Sequence, residues 1–488
     1  MSKSHTGMPR RRFLQAAAGG LAATALGGRM AGKDTKRPTN LVVIMTDNQG
    51  AWTLGCYGNA DIRTPNIDAL ARGGMRFTRA FSCNAVCSPC RASFLTGLVP
   101  SQHGVHCWLA GGGAQTGPKA YCTIGEFRTL PEVLAGAGYT CGLVGKWHLG
   151  GNLRPQEGFR YWITTPHGHT STFYGAKVIE DGKVRTESGY LTDLWTRHAV
   201  RFLERNAARP FFLLLAYNGP YGLGASLTRP ARNRHAAHYA DKDMSSFPRS
   251  RAHPWLRSNR QFVNNVRAMR RYAAEASGVD DGVGKVTAAL KRLGLEDSTL
   301  LVYTADQGWG GGQHGIWGMA DHTRPLHAFD ETMHIPLIFR HGGSIAAGPT
   351  CSRLVATYDM MPTLLSCMGL AGKMPDAPRS PGRDFAALLR GKAIEWTDEV
   401  FYEFENTRAI RTAQWKCIRR HPDGPNELYE LKHDPGETKN LIDADKYAVT
   451  RRQLQRRLEA FFARYAEPKY DLWRGGRSKT HRLTGQRR

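Results

Sequence analysis

The sequence predicts an α/β protein, with a large, mostly parallel sheet between helices and a small α+β unit after it. Three observations predict this. Four apolar runs, at residues 41–46, 139–145, 211–217 and 299–304, have the length and apolar continuity of strands buried on both faces. Stretches with helical spacing alternate with them at 66–72, 130–137, 193–206 and 264–293. Beyond residue 398 the pattern changes to short strands and one helix.

Taken in order, each long strand ends in polar residues. The first delivers Asp47 and Asn48, the second Lys146 and His148, the third Asn218, and the fourth Asp306 and Gln307. Ligands of open α/β sheets collect at the carboxyl ends of strands, so one site assembled from distant segments is expected. A fifth strand at 335–339 and a helix at 358–368 complete a large domain over 38–385. The Pro- and Gly-rich stretch 369–382 reads as an irregular crossing. Strands at 400–404, 407–412, 415–419 and 427–431, then an amphipathic helix over 448–465, form a C-terminal subdomain spanning 395–467. Residues 468–488 form a basic tail, of which the Arg- and Gly-rich 473–488 reads as mobile.

The 488 residues carry a net charge of +26, and +21 remains without residues 1–31, which hold five Lys/Arg and no acid. Such an excess attracts polyanions. No zinc-finger spacing or aromatic RNA-binding segment accompanies it, so nucleic acid is not the expected partner. Sulfated or carboxylated polysaccharide fits the charge, and a solvated basic surface is the plain alternative. Near the start, Arg10-Arg11-Arg12-Phe13-Leu14 precedes an Ala/Gly/Leu run over 16–28, which is too short to span a bilayer. Paired arginines before a short apolar run resemble a twin-arginine export signal, expected here over 1–32. That implies the Tat machinery as a partner and a periplasmic or secreted bacterial protein. No later run is long enough for a transmembrane segment. Of ten cysteines, nine remain once Cys87 is set aside, and their pairing cannot be read from spacing.

Residues 84–97 read N-A-V-C-S-P-C-R-A-S-F-L-T-G. Pro89 suits the first turn of a helix, and Ala92, Phe94 and Leu95 have helical apolar spacing. Cys87 is thereby placed at the positive end of a helix with Arg91 one turn on, two effects that favour a thiolate or an oxyanion. Cys87 and Cys90 as a redox or zinc pair is the rival reading, but no second pair completes a zinc site and Arg91 has no part in it. The run resembles the type I sulfatase signature, Cys-x-Pro-x-Arg followed by a small and apolar stretch ending Thr-Gly. The resemblance extends over about residues 38 to 465, through Gly145-Lys-Trp-His-Leu-Gly150 and the segment from Glu427 to Leu441.

The resemblance implies an alkaline phosphatase-like fold and hydrolysis of sulfate esters. Cys87 would be oxidised to formylglycine by a formylglycine-generating or anaerobic sulfatase-maturating enzyme, its hydrated aldehyde being the nucleophile held by Arg91 and the metal. Calcium or magnesium would be bound by Asp47, Asn48, residue 87, Asp306 and Gln307. Asn48 stands where the family usually has a second aspartate. Lys146 would bind a sulfate oxygen, and His148 would take a proton to release sulfate. Two departures touch the leaving-group side. Tyr221 follows Pro220 where a histidine is usual, and Met319 stands where a lysine is expected. Tyr221, His314, His322 and Arg324 are the candidate replacements, with His327 nearby. The substrate expected is a sulfated carbohydrate. A phosphonate or phosphate-ester hydrolase of the same fold, and a silent polyanion-binding protein, are the rivals.

Overall fold

The computed structural model describes residues 39–484, so the expected export signal lies outside the described residues. Nine strands make the body of the main sheet: β1 Asn40–Asp47, β2 Met75–Phe81, β3 Thr140–Gly145, β4 Phe159–Thr164, β5 Tyr174–Glu180, β6 Lys183–Tyr190, β7 Phe211–Pro220, β8 Thr299–Ala305 and β9 His334–Arg340. With the two-residue strands Thr350–Cys351 and Val355–Ala356 flanking β2, the sheet has 11 strands in the order β2-β9-β8-β1-β7-β3-β4-β5-β6. The centre, from β8 to β4, is parallel. Both margins are antiparallel, with β9 running against β8 and β2, and β5 and β6 forming a hairpin.

Every residue of β1 is buried. Leu41, Val43 and Met45 feed one core, while Val42 and Ile44 feed another on the opposite face. Strand β7 divides the same way, Phe212 and Leu214 against Phe211, Leu213 and Leu215. This is the two-residue strand period read out as two helix-covered faces. The helices Leu191–Asn206 and Val266–Arg292 cover the second face. The longer one starts at Asn265, whose side chain accepts from Ala268 N at 3.1 Å.

The strands Glu399–Phe404, Thr407–Thr412, Trp415–Arg420 and Glu427–Glu430 form an antiparallel sheet in that order. Phe401, Ile410, Cys417 and Leu428 face Leu454, Leu458 and Phe462 of the helix Ala448–Tyr465. The other face, with Tyr402, Phe404 and Ile418, joins a core of the large domain.

The expected mobile tail is corrected up to residue 484. Tyr470 and Asp471 are buried, and Arg408 pairs with Asp471 at 2.7 Å. Lys479 donates to Thr123 O at 2.7 Å, and the Glu405 carboxylate takes the backbone N–H groups of Leu483 and Thr484 at 2.7 and 2.8 Å. Arginine and glycine content suggested a solvated segment, but the chain has aromatic and acidic anchors for it. Among the described residues no helix is long and apolar enough to cross a membrane.

Candidate active site

The carboxyl ends of β1, β3 and β8 meet the start of the helix Cys87–Thr96. All ten residues of that helix are buried. Val86 is its extended N-cap and Gly97, at φ 71°, closes it in the left-handed region that glycine adopts without strain. Cys87 therefore enters the site from a fixed element.

Asp47 and Asp306 lie opposite it. Lys146 Nζ sits 2.6 Å from Asp47 Oδ2, both side chains fully buried. Arg91 donates through Nε and Nη2 to Asp306 Oδ2 at 3.0 and 2.7 Å, and through Nη1 to Lys146 O at 2.7 Å. Burial works against both cations, but the adjacent carboxylates outweigh it and hold Lys146 and Arg91 above their ordinary pKa. Two carboxylates and two cations thus pair beside Cys87.

The Cys87 thiol corrects an expectation. Helix N-terminus and guanidinium were read as favouring a thiolate. Instead burial, with the Asp47 carboxylate beside it, pushes the thiol far above its ordinary pKa. Its Sγ lies 3.4 Å from Asp47 Oδ1. Lys146 and Arg91 pull the other way but are outweighed by burial and the two carboxylates. As a plain cysteine, residue 87 is a poor nucleophile here. Cys90 turns away to Asn84 O at 2.9 Å, and no disulfide joins it to Cys87.

Ligand atoms of Asp47, Cys87 and Asp306 lie within 4.8 Å of one another, close enough to share one ion. Asn48 and Gln307 add amides. Gln307 Nε2 is pressed on Asn48 Oδ1 and lies 3.5 Å from Cys87 Sγ, while its Oε1 is buried without a partner. The orphaned Oε1 is an acceptor that a cation would satisfy if the amide turned over. With two carboxylates and two amide oxygens, the donor set fits a hard divalent ion.

Lys146 and His148 follow β3 through Gly145, at φ 109°, where a Cβ would lie 1.9 Å from Ala216 O. Ser88 links this loop to the nucleophile helix: its Oγ donates to His148 O at 2.8 Å and accepts from Leu109 N at 3.0 Å. His148 Nε2 meets Leu109 O at 3.1 Å, which assigns the proton to Nε2 and leaves the buried Nδ1 as a free acceptor. Burial and then Lys146 hold this histidine well below its ordinary pKa, so it is neutral. Asn48, His148 and Tyr221 have φ of 57°, 59° and 58°. Three non-glycine residues in the left-handed region, each just past a sheet strand, mark a site whose backbone is held by its surroundings.

Cys87 opens on a cavity of about 330 Å³ whose wall includes Trp108, His169, Tyr221, Met319, Asp321 and His322. Tyr221 and His322 are thus brought to the site. The Tyr221 ring lies 5.5 Å from Lys146 Nζ, and burial pushes its phenol well above its ordinary pKa. Met319 presents its thioether 3.3 Å from Gln307 Nε2. His314 and Arg324 are not brought there. His314 stacks on Phe329 at 3.8 Å and pairs with Glu331 at 3.2 Å, while Arg324 donates to the backbone of Asp321 and Thr323. Buried His327 bonds Thr323 at 2.8 Å. Sequence reasoning missed Trp108 and His169. Burial and Lys146 hold His169 down to about 4, and its ring packs 4.6 Å from Trp108. Neither sits beside a recognisable motif, and only the fold places them on the wall.

The Sulfatase family profile matches residues 39–370, and a profile for the N-sulphoglucosamine sulphohydrolase C-terminal region matches 315–464. The chain is 26% identical to an N-acetylglucosamine-6-O-sulfatase of Bacteroides thetaiotaomicron, over 89% of this chain and 88% of that one. It is 30% identical to the N-acetylgalactosamine-6-sulfatase of Mus musculus, over 81% of this chain and 74% of that one. A solved structure described as in complex with its substrate, D-glucosamine-2-N,6-O-disulfate, superposes with a TM-score of 0.70 at 25% identity, covering 88% of this chain and 98% of that one. The chain belongs to the sulfatase family and is a sulfuric ester hydrolase with the alkaline phosphatase-like fold.

Proposed function

We propose that this enzyme desulfates glycans, with residue 87 converted to formylglycine and calcium held by Asp47, Asn48, Asp306 and Gln307. The carrying observation is geometric: buried Cys87 opens on the cavity while Asp47, paired with Lys146, and Asp306, paired with Arg91, lie around it. A cation held by the same carboxylates would offset their charge and favour an oxyanion at residue 87.

Formylglycine supplies the nucleophilic oxygen, and the divalent ion supplies Lewis-acid polarisation of a sulfate oxygen. The rest falls to side chains. Arg91, held by three hydrogen bonds, keeps its charge at residue 87 without moving. Lys146 offers its remaining N–H groups to sulfate oxygens as their charge grows, in a dry site where each such bond is worth more than in water. His148, neutral with Nδ1 free, accepts a proton in the release of sulfate. Tyr221 and His322 border the leaving alcohol. The high phenol pKa makes Tyr221 a donor that stays protonated. Export through the twin-arginine pathway, after maturation in the cytoplasm, completes the reading.

The test has two readouts. Mass analysis of the peptide spanning Cys87, from protein co-produced with a maturation enzyme, should show aldehyde or hydrate in place of thiol; full activity with an intact thiol would overturn the nucleophile. Turnover across defined sulfated saccharides should exceed that of a nitrophenyl sulfate and weaken more steeply with salt, as charge-steered capture does. A preference for the aryl ester, or an equal salt response, would defeat the glycan reading.

A further inference from the structure

A second cavity, of about 260 Å³, adjoins the one that holds Cys87. Ser171 and Ala225 belong to both walls. Its own wall adds Tyr174, Arg229, Arg232, Arg271 and Glu275. No part of the proposed mechanism uses it.

The three arginines are not spent on acids. Arg229 is exposed, with no ion pair or hydrogen bond among the described residues. Arg232 lies over the Tyr174 ring at 4.3 Å, a contact that leaves its N–H edge free. Arg271 donates to Leu227 O and to no carboxylate. Arg234, only two residues beyond Arg232, shows the alternative, paired at 2.5 Å with Asp281. Glu275 is the single acid on the wall. It takes the Tyr190 hydroxyl at 2.5 Å, and burial pushes it up to about 8, so at neutral pH it does not cancel the guanidinium charge. Of the wall hydroxyls, Thr172 and Ser226 donate to Tyr174 O and Leu223 O, which leaves that of Ser171 for a sugar. Unpaired guanidinium groups around a concavity are built for oxyanions, which they bind bidentately.

We infer that this second cavity is an anion subsite that holds a sulfate or carboxylate on the sugar unit next to the one being desulfated. The inference rests on the glycan reading above and sharpens it: the preferred substrate carries at least two anionic groups on adjacent units. The shared wall through Ser171 and Ala225 gives the path between the two groups. Arg229 and Arg232 are the recognising pair, and Arg271 lends charge from the long helix.

The experiment compares the wild type with the double variant Arg229→Ala/Arg232→Ala on three probes. These are a monosulfated monosaccharide, a disaccharide of the same sulfated unit joined to a uronic acid, and its counterpart with a second sulfate in place of the carboxylate. Loss of two charge-assisted contacts should raise KM about ten-fold or more on one or both disaccharides, with kcat and the monosaccharide constants unchanged. Which disaccharide suffers tells sulfate from carboxylate. Arg229→Lys/Arg232→Lys should recover part of the loss, and equal melting temperatures exclude a folding effect. Unchanged disaccharide kinetics, or an equal loss on all three probes, overturns the subsite. A wild type that turns over aryl sulfates but none of the three saccharides overturns the glycan reading, and the subsite with it.

Discussion

At the scale of single residues, the site is defined by who is bound to whom. Asp306 serves Arg91 and also lies within reach of an ion, so Asp306→Ala leaves a guanidinium buried and unpaired. It should abolish turnover and cost about 3–5 kcal/mol of stability. Asn48 shows a subtler balance. Its Nδ2 donates to Tyr221 O at 2.9 Å, so Asn48→Asp turns a hydrogen bond into two facing oxygens. The variant should melt lower without calcium, by an effect of about 1–3 kcal/mol, and gain more from added calcium than the wild type. Paired melting curves with calcium and with chelator check this; an equal calcium shift in both proteins would remove residue 48 from the ion. Gly168 is the third case. A Cβ there would lie 1.9 Å from the His148 ring, whereas Gly136 has open space. Gly168→Ala should therefore lower kcat by about 10²-fold by tilting His148, while Gly136→Ala should not.

At the scale of elements, the legible parts were those whose burial is uniform. The central strands read as strands because all their faces are covered, and the polar residues at their ends pointed to the site. Lys146 and the two aspartates stand at such ends, whereas Cys87 and Arg91 were read from the resemblance of Cys-x-Pro-x-Arg to the sulfatase signature. Strands β5 and β6 were not, because they alternate exposed charge and glycine along an edge and carry no apolar run. The thiol's protonation was not legible either: helix position is local information, while the Asp47 carboxylate arrives from forty residues away in sequence. The helix Val266–Arg292 holds a pH dependence of its own. Glu275 within it titrates near 4.5 when unfolded and near 8 in the native state, because burial penalises its charge. A raised native pKa means its stabilisation is complete below about 4.5 and is lost as pH rises towards 8. Glu275→Gln, neutral throughout, should gain on the wild type by up to about 1.4 kcal/mol per pH unit across that window. Denaturant midpoints at pH 5 and pH 8 measure it; a constant difference would show that Glu275 is already ionised in the fold.

At the scale of the whole molecule, the C-terminal segment backs one wall of the active site. The His481 ring lies 4.1 Å from Trp108, which lines the catalytic cavity and packs on His169. Thr480 Oγ1 accepts from Cys107 N at 3.0 Å, and Lys479 N donates to Gly104 O at 2.8 Å, so the segment runs along the loop that carries Trp108. Asp471 and Tyr470 pin one end through Arg408 and Glu126, and Glu405 pins the other. This makes Trp108 a wall held from behind, and His481 a positioning residue rather than a catalytic one. An aromatic pair of this kind is worth about 0.5–1.5 kcal/mol, so His481→Ala should raise KM about two- to ten-fold on a saccharide substrate with kcat nearly unchanged. Removing residues 469–488 should give the same KM effect together with a lower melting temperature, since it also strips a carboxylate from buried Arg408. His481→Phe, which keeps the stacking, should restore KM. If His481→Ala leaves KM untouched while the truncation lowers only the melting temperature, the segment supports the fold and has no part in shaping the substrate cavity.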